Sequence, residues 1–399
     1  MNILLIGNGF DLAHELPTRY TDFLEFVKVI KQVVNITRQE DLDKIIWGKI
    51  HIKIREIIEI NMENTRNNLF SQKAVWEDLI AENYWIEYFL QCDMYQEENW
   101  IDFEREISKV IKSLDKSMHT STLIHVKHKF VNIVNSLQTI STYKQLRDRL
   151  LNDLNKFIRA FEIYLTEYVG KIKVEIFSPD IKEIVVKSYE DNGQKRAIFT
   201  KVLSFNYTST YKKMYLKSYD VNVDDYIDYI HGKADINNSI ETNNMVLGID
   251  EYLEDDRKNK DVAFIAFKKF YQRIYKETGC KYKEWVNKIQ GDYLEYVQKQ
   301  TEADRRERKY IPDNMQATMN RLATQAIKSP KCRKHYLYIF GHSLDVTDKD
   351  ILRDLILNNN VYTTIFYVNK DVMGQQIANL VRVIGQDELI KRTGASCIL

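Results

Sequence analysis

The chain has 399 residues, 44 % hydrophobic and 29 % charged, which leaves room for a sizeable core and gives an expectation of about two to three domains. Lys plus Arg number 58 against 57 Asp plus Glu, and a net charge of +1 gives the chain as a whole no electrostatic case for nucleic acid. Only 13 glycines and 4 prolines occur, about a third of the usual share of roughly 12 %, which excludes disordered, collagenous and Gly-rich β architectures.

Residues 2–6 (Asn-Ile-Leu-Leu-Ile) form a short apolar run ending in Gly7-Asn8-Gly9, the pattern of a buried parallel strand feeding a tight turn. From Thr18 to Val169 the only Gly or Pro is Gly48, and helical signals run almost unbroken to about residue 172. Leu146, Leu150, Leu151, Leu154, Phe157, Ile158, Phe161, Leu165 and Tyr168 share one stripe of 3.6-residue period, which predicts a core-facing helix in a bundle. Trp76, Trp85 and Trp100, with the dense Tyr and Phe of 70–103, read as an interface or, the better reading, as buried core, and Asp102 and Glu104 read as exposed helix charges.

Near residue 195 the pattern turns to strand: Ala197–Phe205, Tyr226–Ile230 before His231-Gly232, and Met245–Gly248. Charged helices return from about 255 to 330, where Asp304–Lys309 reads as a solvated face. The last 70 residues alternate: a strand at His335–Phe340, a turn at Gly341, a helix at Lys349–Leu357, a strand at Tyr362–Val368, then helix. That order predicts βαβ units on a parallel sheet. The predicted fold is therefore α/β, a Rossmann-like parallel-sheet domain built from 1–34, 195–254 and 331–399, with helical insertions at 35–190 and 255–330.

Cys92, Cys280, Cys332 and Cys397 lack any C-x-x-C spacing, which argues against a structural zinc site or a disulfide framework, and no metal is expected. The N-terminus lacks the basic stretch of a signal peptide and no apolar run reaches ~18 residues, so a soluble, cytoplasmic protein without membrane contact is expected.

In an open α/β sheet, ligands bind beyond the carboxyl ends of the strands. Four such ends carry small or polar residues: Gly7–Asp11, Ser204–Thr208, His231-Gly232 and Gly341–Asp345. The two glycines of Gly7-x-Gly9 would let backbone amides approach a phosphate at a helix N-terminus, although Leu12 stands where a dinucleotide fingerprint has its third glycine. Asp11 either caps the helix or accepts hydrogen bonds from ribose hydroxyls. Asn206 is either a turn former or an amide that holds a ribose hydroxyl or a water, and His231 at a strand mouth suits a general base.

The stretch from Gly7 to Tyr20 (GNGFDLAHELPTRY), Ser204–Thr208, His231-Gly232 and Gly341–Asp348 together resemble the bacteriophage abortive infection AbiH family, and Asn99–Glu104 resembles it more loosely. The same places resemble the sirtuin-type (Sir2-like) NAD site. That family's Gly-Ala-Gly-Ile-Ser and later Gly-Ile-Pro parallel Gly7–Gly9 and Glu15-Leu16-Pro17. Its Thr-Gln-Asn-Ile-Asp resembles Ser204–Thr208, its His-Gly resembles His231-Gly232, its Gly-Thr-Ser-Leu resembles Gly341–Leu344, and its Val-Asn resembles Val368-Asn369. The resemblance implies NAD as a substrate, cleaved to nicotinamide and ADP-ribose in antiphage defence. Asn206 and His231 would be catalytic. Gly7, Asn8, Gly9, Phe10, Asp11, Thr18, Arg19, Tyr20, Gly341, His342, Ser343, Asp345 and Asn369 would hold the nucleotide.

Phe205 and Thr208 depart from the sirtuin pattern, and the four zinc cysteines have no counterpart, which argues against lysine deacetylation. The family setting further implies that the insertions serve as sensor or oligomerisation surfaces, toward a homo-oligomer or a partner protein, under a phage-derived trigger. Two other classes stay open: a module that senses NAD or ADP-ribose without turnover, and a nucleic-acid-directed defence enzyme.

Overall fold

A computed structural model describes residues 1–36, 44–63, 73–92, 101–120, 122–191, 194–217, 222, 225–254, 256–309 and 331–393. Strand β1 (Asn2–Ile6) is buried along its whole length, as a central strand covered on both faces must be. The helices α1 (Asn8–Ala13), α2 (Tyr20–Asn35), α3 (Ile52–Glu63), α4 (Lys73–Ile80) and α5 (Tyr84–Leu90) follow it. After them come α6 (Phe103–Thr120), α7 (Leu123–Val131), α8 (Tyr143–Ile163) and α9 (Pro179–Val185). Next is an antiparallel hairpin of β2 (Val186–Asp191) and β3 (Gln194–Phe199), then β4 (Lys201–Ser204) and β5 (Ile227–Tyr229). The second helical stretch holds α10 (Arg257–Lys260), α11 (Lys269–Tyr275) and α12 (Tyr282–Lys309). The chain then runs through β6 (His335–Phe340), α13 (Lys349–Ile356), β7 (Val361–Ile365), α14 (Lys370–Ile384) and α15 (Gln386–Thr393).

The central sheet has five parallel strands in the order β5-β4-β1-β6-β7. Leu4 stands opposite Val202 and Tyr338, which fixes β1 between β4 and β6. Strand succession reverses between β1 and β6, the place where open α/β sheets bind ligands. This is the predicted α/β class, a parallel sheet with large helical insertions.

Alternation along β1 sends Ile3 and Leu5 into a cluster with Trp285, Ile289, Ile351 and Leu380, and Leu4 and Ile6 into another with Ile181, Ile184, Tyr211 and Tyr215. A third cluster packs α2, α4, α5, α6 and α8 together and continues into Tyr207, Met245, Leu247 and Phe267. The insertions therefore share one core with the loops at the strand ends. Trp76 and Trp85 are buried in it, as predicted, while Trp100 lies outside the described residues. The α8 stripe is buried at every predicted position except half-buried Leu151, and it runs on into a π-helical turn at Tyr164–Tyr168.

Three local expectations differ from the structure. The strand signal at 197–205 splits at Thr200, so its first part belongs to the hairpin and only Lys201–Ser204 joins the sheet. The hairpin also begins at Val186, inside the stretch 35–190 assigned to the helical insertion. Met245–Gly248 forms no strand, because its amides turn elsewhere: Val246 N–H donates to His231 O at 2.8 Å and Leu247 N–H to Gln272 Oε1 at 3.0 Å. In the charged run, Asp304 and Arg305 are exposed, and the side chains of 306–309 lie outside the described residues. Among the described residues no helix is long and apolar enough to cross a membrane.

Candidate functional site

The ends of β1, β4, β5 and β6 open onto one cleft of about 1310 Å³, lined among others by Gly7, Asn8, Gly9, Asp11, Asn206, Thr208, His231, Gly341, His342 and Ser343. A second cavity of about 900 Å³ shares Leu165, Tyr207 and Thr208 with it but holds none of Gly7, Gly9, His231, Gly341 and His342.

Glycine is required where the β1 and β6 turns cross. Gly9 N–H donates to Gly341 O at 2.8 Å and Gly7 N–H to Phe340 O at 3.1 Å. A Cβ on Gly9 would stand 2.7 Å from Gly341 Cα. Gly341 has φ +66°, and its own Cβ would lie 2.3 Å from Phe10 N. Left-handed backbone strain and overpacking each cost about 1–3 kcal/mol. Gly341→Ala should therefore lower unfolding stability by about 2–3 kcal/mol, measured by denaturant titration; an unchanged midpoint would show that the turns can part freely.

Asn206 follows β4 and is buried, and neither its side-chain oxygen nor its nitrogen has a hydrogen-bond partner. His231 follows β5 and is 5 % exposed. Its Nε2 lies 3.4 Å from Asp348 Oδ1, while Nδ1 has no partner. Burial, helped by the Lys269 charge, lowers the imidazole to about 4, so it is neutral at physiological pH with Nδ1 open to accept a proton. Asp11 accepts from Thr208 Oγ1 at 2.7 Å through Oδ2, its Oδ1 is unpartnered, and burial pushes the carboxyl up to about 6. The helix-capping reading of Asp11 is set aside, because Gly7 is the N-cap of α1 and the Asp11 side chain turns to Thr208 instead.

Asp348 collects three cationic or imidazole partners: Lys269 Nζ at 3.2 Å, His231 Nε2 at 3.4 Å and His342 Nε2 at 3.5 Å. Burial alone would raise the Asp348 carboxyl, but Lys269 and the two imidazoles outweigh it and hold the group well below its ordinary value. Leu344 N–H donates to His342 Nδ1 at 2.9 Å, which fixes that ring with its proton on Nε2, toward Asp348. Leu344 takes φ +59° to do so. Phe205 stands edge-on to both imidazoles, 4.4 Å from His342 and 5.3 Å from His231 between ring centres, and so sets their planes.

Both insertions supply the other half of this cluster. Lys269, the first residue of α11, reaches Glu104 Oε2 of α6 at 2.7 Å. Burial pushes the Glu104 carboxyl up to about 7 against the pull of Lys269. Glu104 and Asp102 are thus not the solvent-facing helix charges their pattern predicts: both line the cleft and Glu104 is ion-paired within it. Sequence reading had no means of finding Lys269, since nothing in Phe267-Lys268-Lys269-Phe270 distinguishes it from a surface lysine.

The other predicted residues fall as follows. Thr18 donates to Asn8 Oδ1 at 2.6 Å, and Thr18 and Tyr20 line the cleft. Ser343 is exposed within the lining, and its carbonyl accepts from Asn379 Nδ2 at 2.9 Å. Asp345 lines the cleft and also caps the turn that follows, accepting from Thr347 N–H at 3.0 Å. Phe10, Arg19 and Asn369 are not brought to the cleft. Phe10 is wholly buried among Tyr211, Tyr215 and Phe340 because its helical position faces the sheet. Arg19 is exposed at the N-cap of α2, and exposed Asn369 caps α14, its Oδ1 accepting from Val372 N–H at 2.9 Å.

Outside this cleft, Asp115, His119 and Asp261 stand close enough to share a metal ion, and Arg257 already bridges the two carboxylates at 2.8–3.2 Å. No curated protein and no solved structure matches the chain. The model of the family described as bacteriophage abortive infection AbiH matches residues 3–369, a span that takes in every strand end of the cleft and both insertions. The chain belongs to the bacteriophage abortive infection AbiH family.

Proposed function

We propose that this abortive-infection protein binds NAD or a related nucleotide in the strand-end cleft and hydrolyses it to nicotinamide and ADP-ribose, in the manner of a sirtuin-type NAD site. The observation that carries the reading is the set of buried polar atoms without partners, both side-chain atoms of Asn206 and Nδ1 of His231, at the cleft where the strand ends meet. Buried polar groups are nearly always hydrogen-bonded, so a cluster of orphans at a cleft points to a polar ligand. The cleft volume suits a ligand of dinucleotide size.

The chemistry asks little of an acid. The nicotinamide nitrogen of NAD is already cationic, so breaking the bond to the ribose C1′ returns the electron pair to that nitrogen and releases neutral nicotinamide. Water adds at C1′, and its proton passes to a base. Asn206 would orient the water or the ribose hydroxyls through its amide. Neutral His231 would accept the proton at Nδ1, its ring held by Asp348 at the opposite nitrogen.

Incubating the purified chain with NAD should release nicotinamide, and Asn206→Ala should slow that release by about 10²-fold, the range for losing one preorganised polar group. A variant as fast as wild type would remove Asn206 from the chemistry. Binding without release would replace hydrolysis by nucleotide sensing.

A further inference from the structure

The glycine turn that the strand pattern assigns to phosphates has three of its amides committed. Gly7, Gly9 and Phe10 donate their N–H groups to Phe340 O, Gly341 O and Gly7 O. Helix α1 is only six residues long and carries Asp11 in its first turn. Asp348 and Glu104 stand in the same cleft as further carboxyl groups. An anion placed against this floor would meet carboxylates and find few free donors.

The cleft's other cationic side chains stand on a different wall. Arg105, Lys109 and Lys112 follow at i, i+4 and i+7 along α6, so they share one face of that helix, and all three line the cleft. Arg382 of α14 lines it too. Lys109 is paired with Glu106 at 2.5 Å, while the side chains of Arg105, Lys112 and Arg382 make no ion pair among the described residues. All four are exposed, so holding Arg105, Lys112 and Arg382 unpaired in water costs little, and the charge of these three is available to an incoming anion.

Building on the nucleotide reading, we infer that the phosphates of the nucleotide are taken by Arg105 and Lys112 on the helical insertion, with Arg382 beside them, and not by the glycine turn. The insertion then acts as the anion-binding wall of a cleft whose reactive floor belongs to the sheet. Guanidinium and ammonium groups that neutralise a pyrophosphate form charge-assisted hydrogen bonds whose strength falls with salt.

The test is calorimetric titration of the full chain with ADP-ribose, ADP and NAD, beside Arg105→Glu/Lys112→Glu and Arg382→Glu. These residues are exposed, so thermal melts of the variants should match wild type. Wild type should bind ADP-ribose with an affinity that drops as ionic strength rises. The double variant should bind it about tenfold more weakly or worse, with a flatter salt dependence, and Arg382→Glu should show a smaller loss in the same direction. ADP-ribose binding that depends on Arg105 and Lys112 without nicotinamide release would uphold the phosphate site and sink the hydrolytic reading. Nicotinamide release together with undiminished ADP-ribose binding by the double variant would do the reverse. A wild type that binds none of the three nucleotides, or that binds a single-stranded oligonucleotide more tightly than ADP-ribose through the same residues, overturns the assignment.

Discussion

Replacing Lys269 by methionine is expected to destabilise the folded protein by about 3–5 kcal/mol, the range for stranding buried charge by removing one partner of an ion pair. Lys269 is 4 % exposed, and its ammonium sits between Glu104 at 2.7 Å and Asp348 at 3.2 Å. Methionine fills similar volume but leaves two buried carboxyls facing each other. Glu104 can relieve the repulsion by keeping its proton, since burial already pushes it up to about 7. A carboxyl raised above its unfolded value stabilises the fold below that value and ceases to as pH rises through the folded one. The loss should therefore be larger at about pH 8 than at about pH 6. Denaturant midpoints at both values check this, and Lys269→Met/Glu104→Gln should recover part of the stability. Equal midpoints for wild type and Lys269→Met would mean that the cation is dispensable to the cluster.

His231→Gln is expected to slow nicotinamide release by about 10²–10⁴-fold, the contribution of a positioned general base. The wild-type pH profile separates this role from a structural one. Three charged groups act on the ring: Lys269 and Arg273 of α11 disfavour its protonation and Asp348 favours it, with burial the largest influence of all. Because the imidazole is lowered to about 4 from an ordinary value near 6.5, it remains a competent base as pH falls through 6.5 and is lost only near 4. An acid limb close to 4 that disappears in His231→Gln fits the base role. A limb at the ordinary histidine value would assign the proton transfer to another group.

The contrast between Lys269 and His231 shows which parts of the site local sequence can disclose. His231-Gly232 ends a short apolar run, and a polar residue at a strand mouth is a signal in itself because β-strand termini in α/β sheets face the ligand crevice. The same logic located Asn206, Gly341 and His342, all of which line the cleft. Glu104 and Lys269 sit in charged helical sequence where each residue resembles its neighbours, and what distinguishes them is a pairing across 165 positions of chain. Asp348 is hidden in the sequence for a related reason. An aspartate before a helix is an ordinary cap, yet at this helix Asp345 satisfies the turn while Asp348 points to Lys269 and two imidazoles.

By itself the sequence determined the α/β class, the strands at Asn2–Ile6 and His335–Phe340, the long α8 stripe and the strand-end residues that converge, because each depends on hydrophobic periodicity and on turns encoded within a few residues. Only the tertiary structure decided that the glycine turns grip each other rather than present their amides. It alone carried Phe10 into the core and left Asn369 at a distant cap. It also brought both insertions over the strand ends to deliver Glu104, Lys269 and the basic face of α6. Those outcomes depend on which surfaces pack against which over long chain separations, and no short-range pattern encodes that choice.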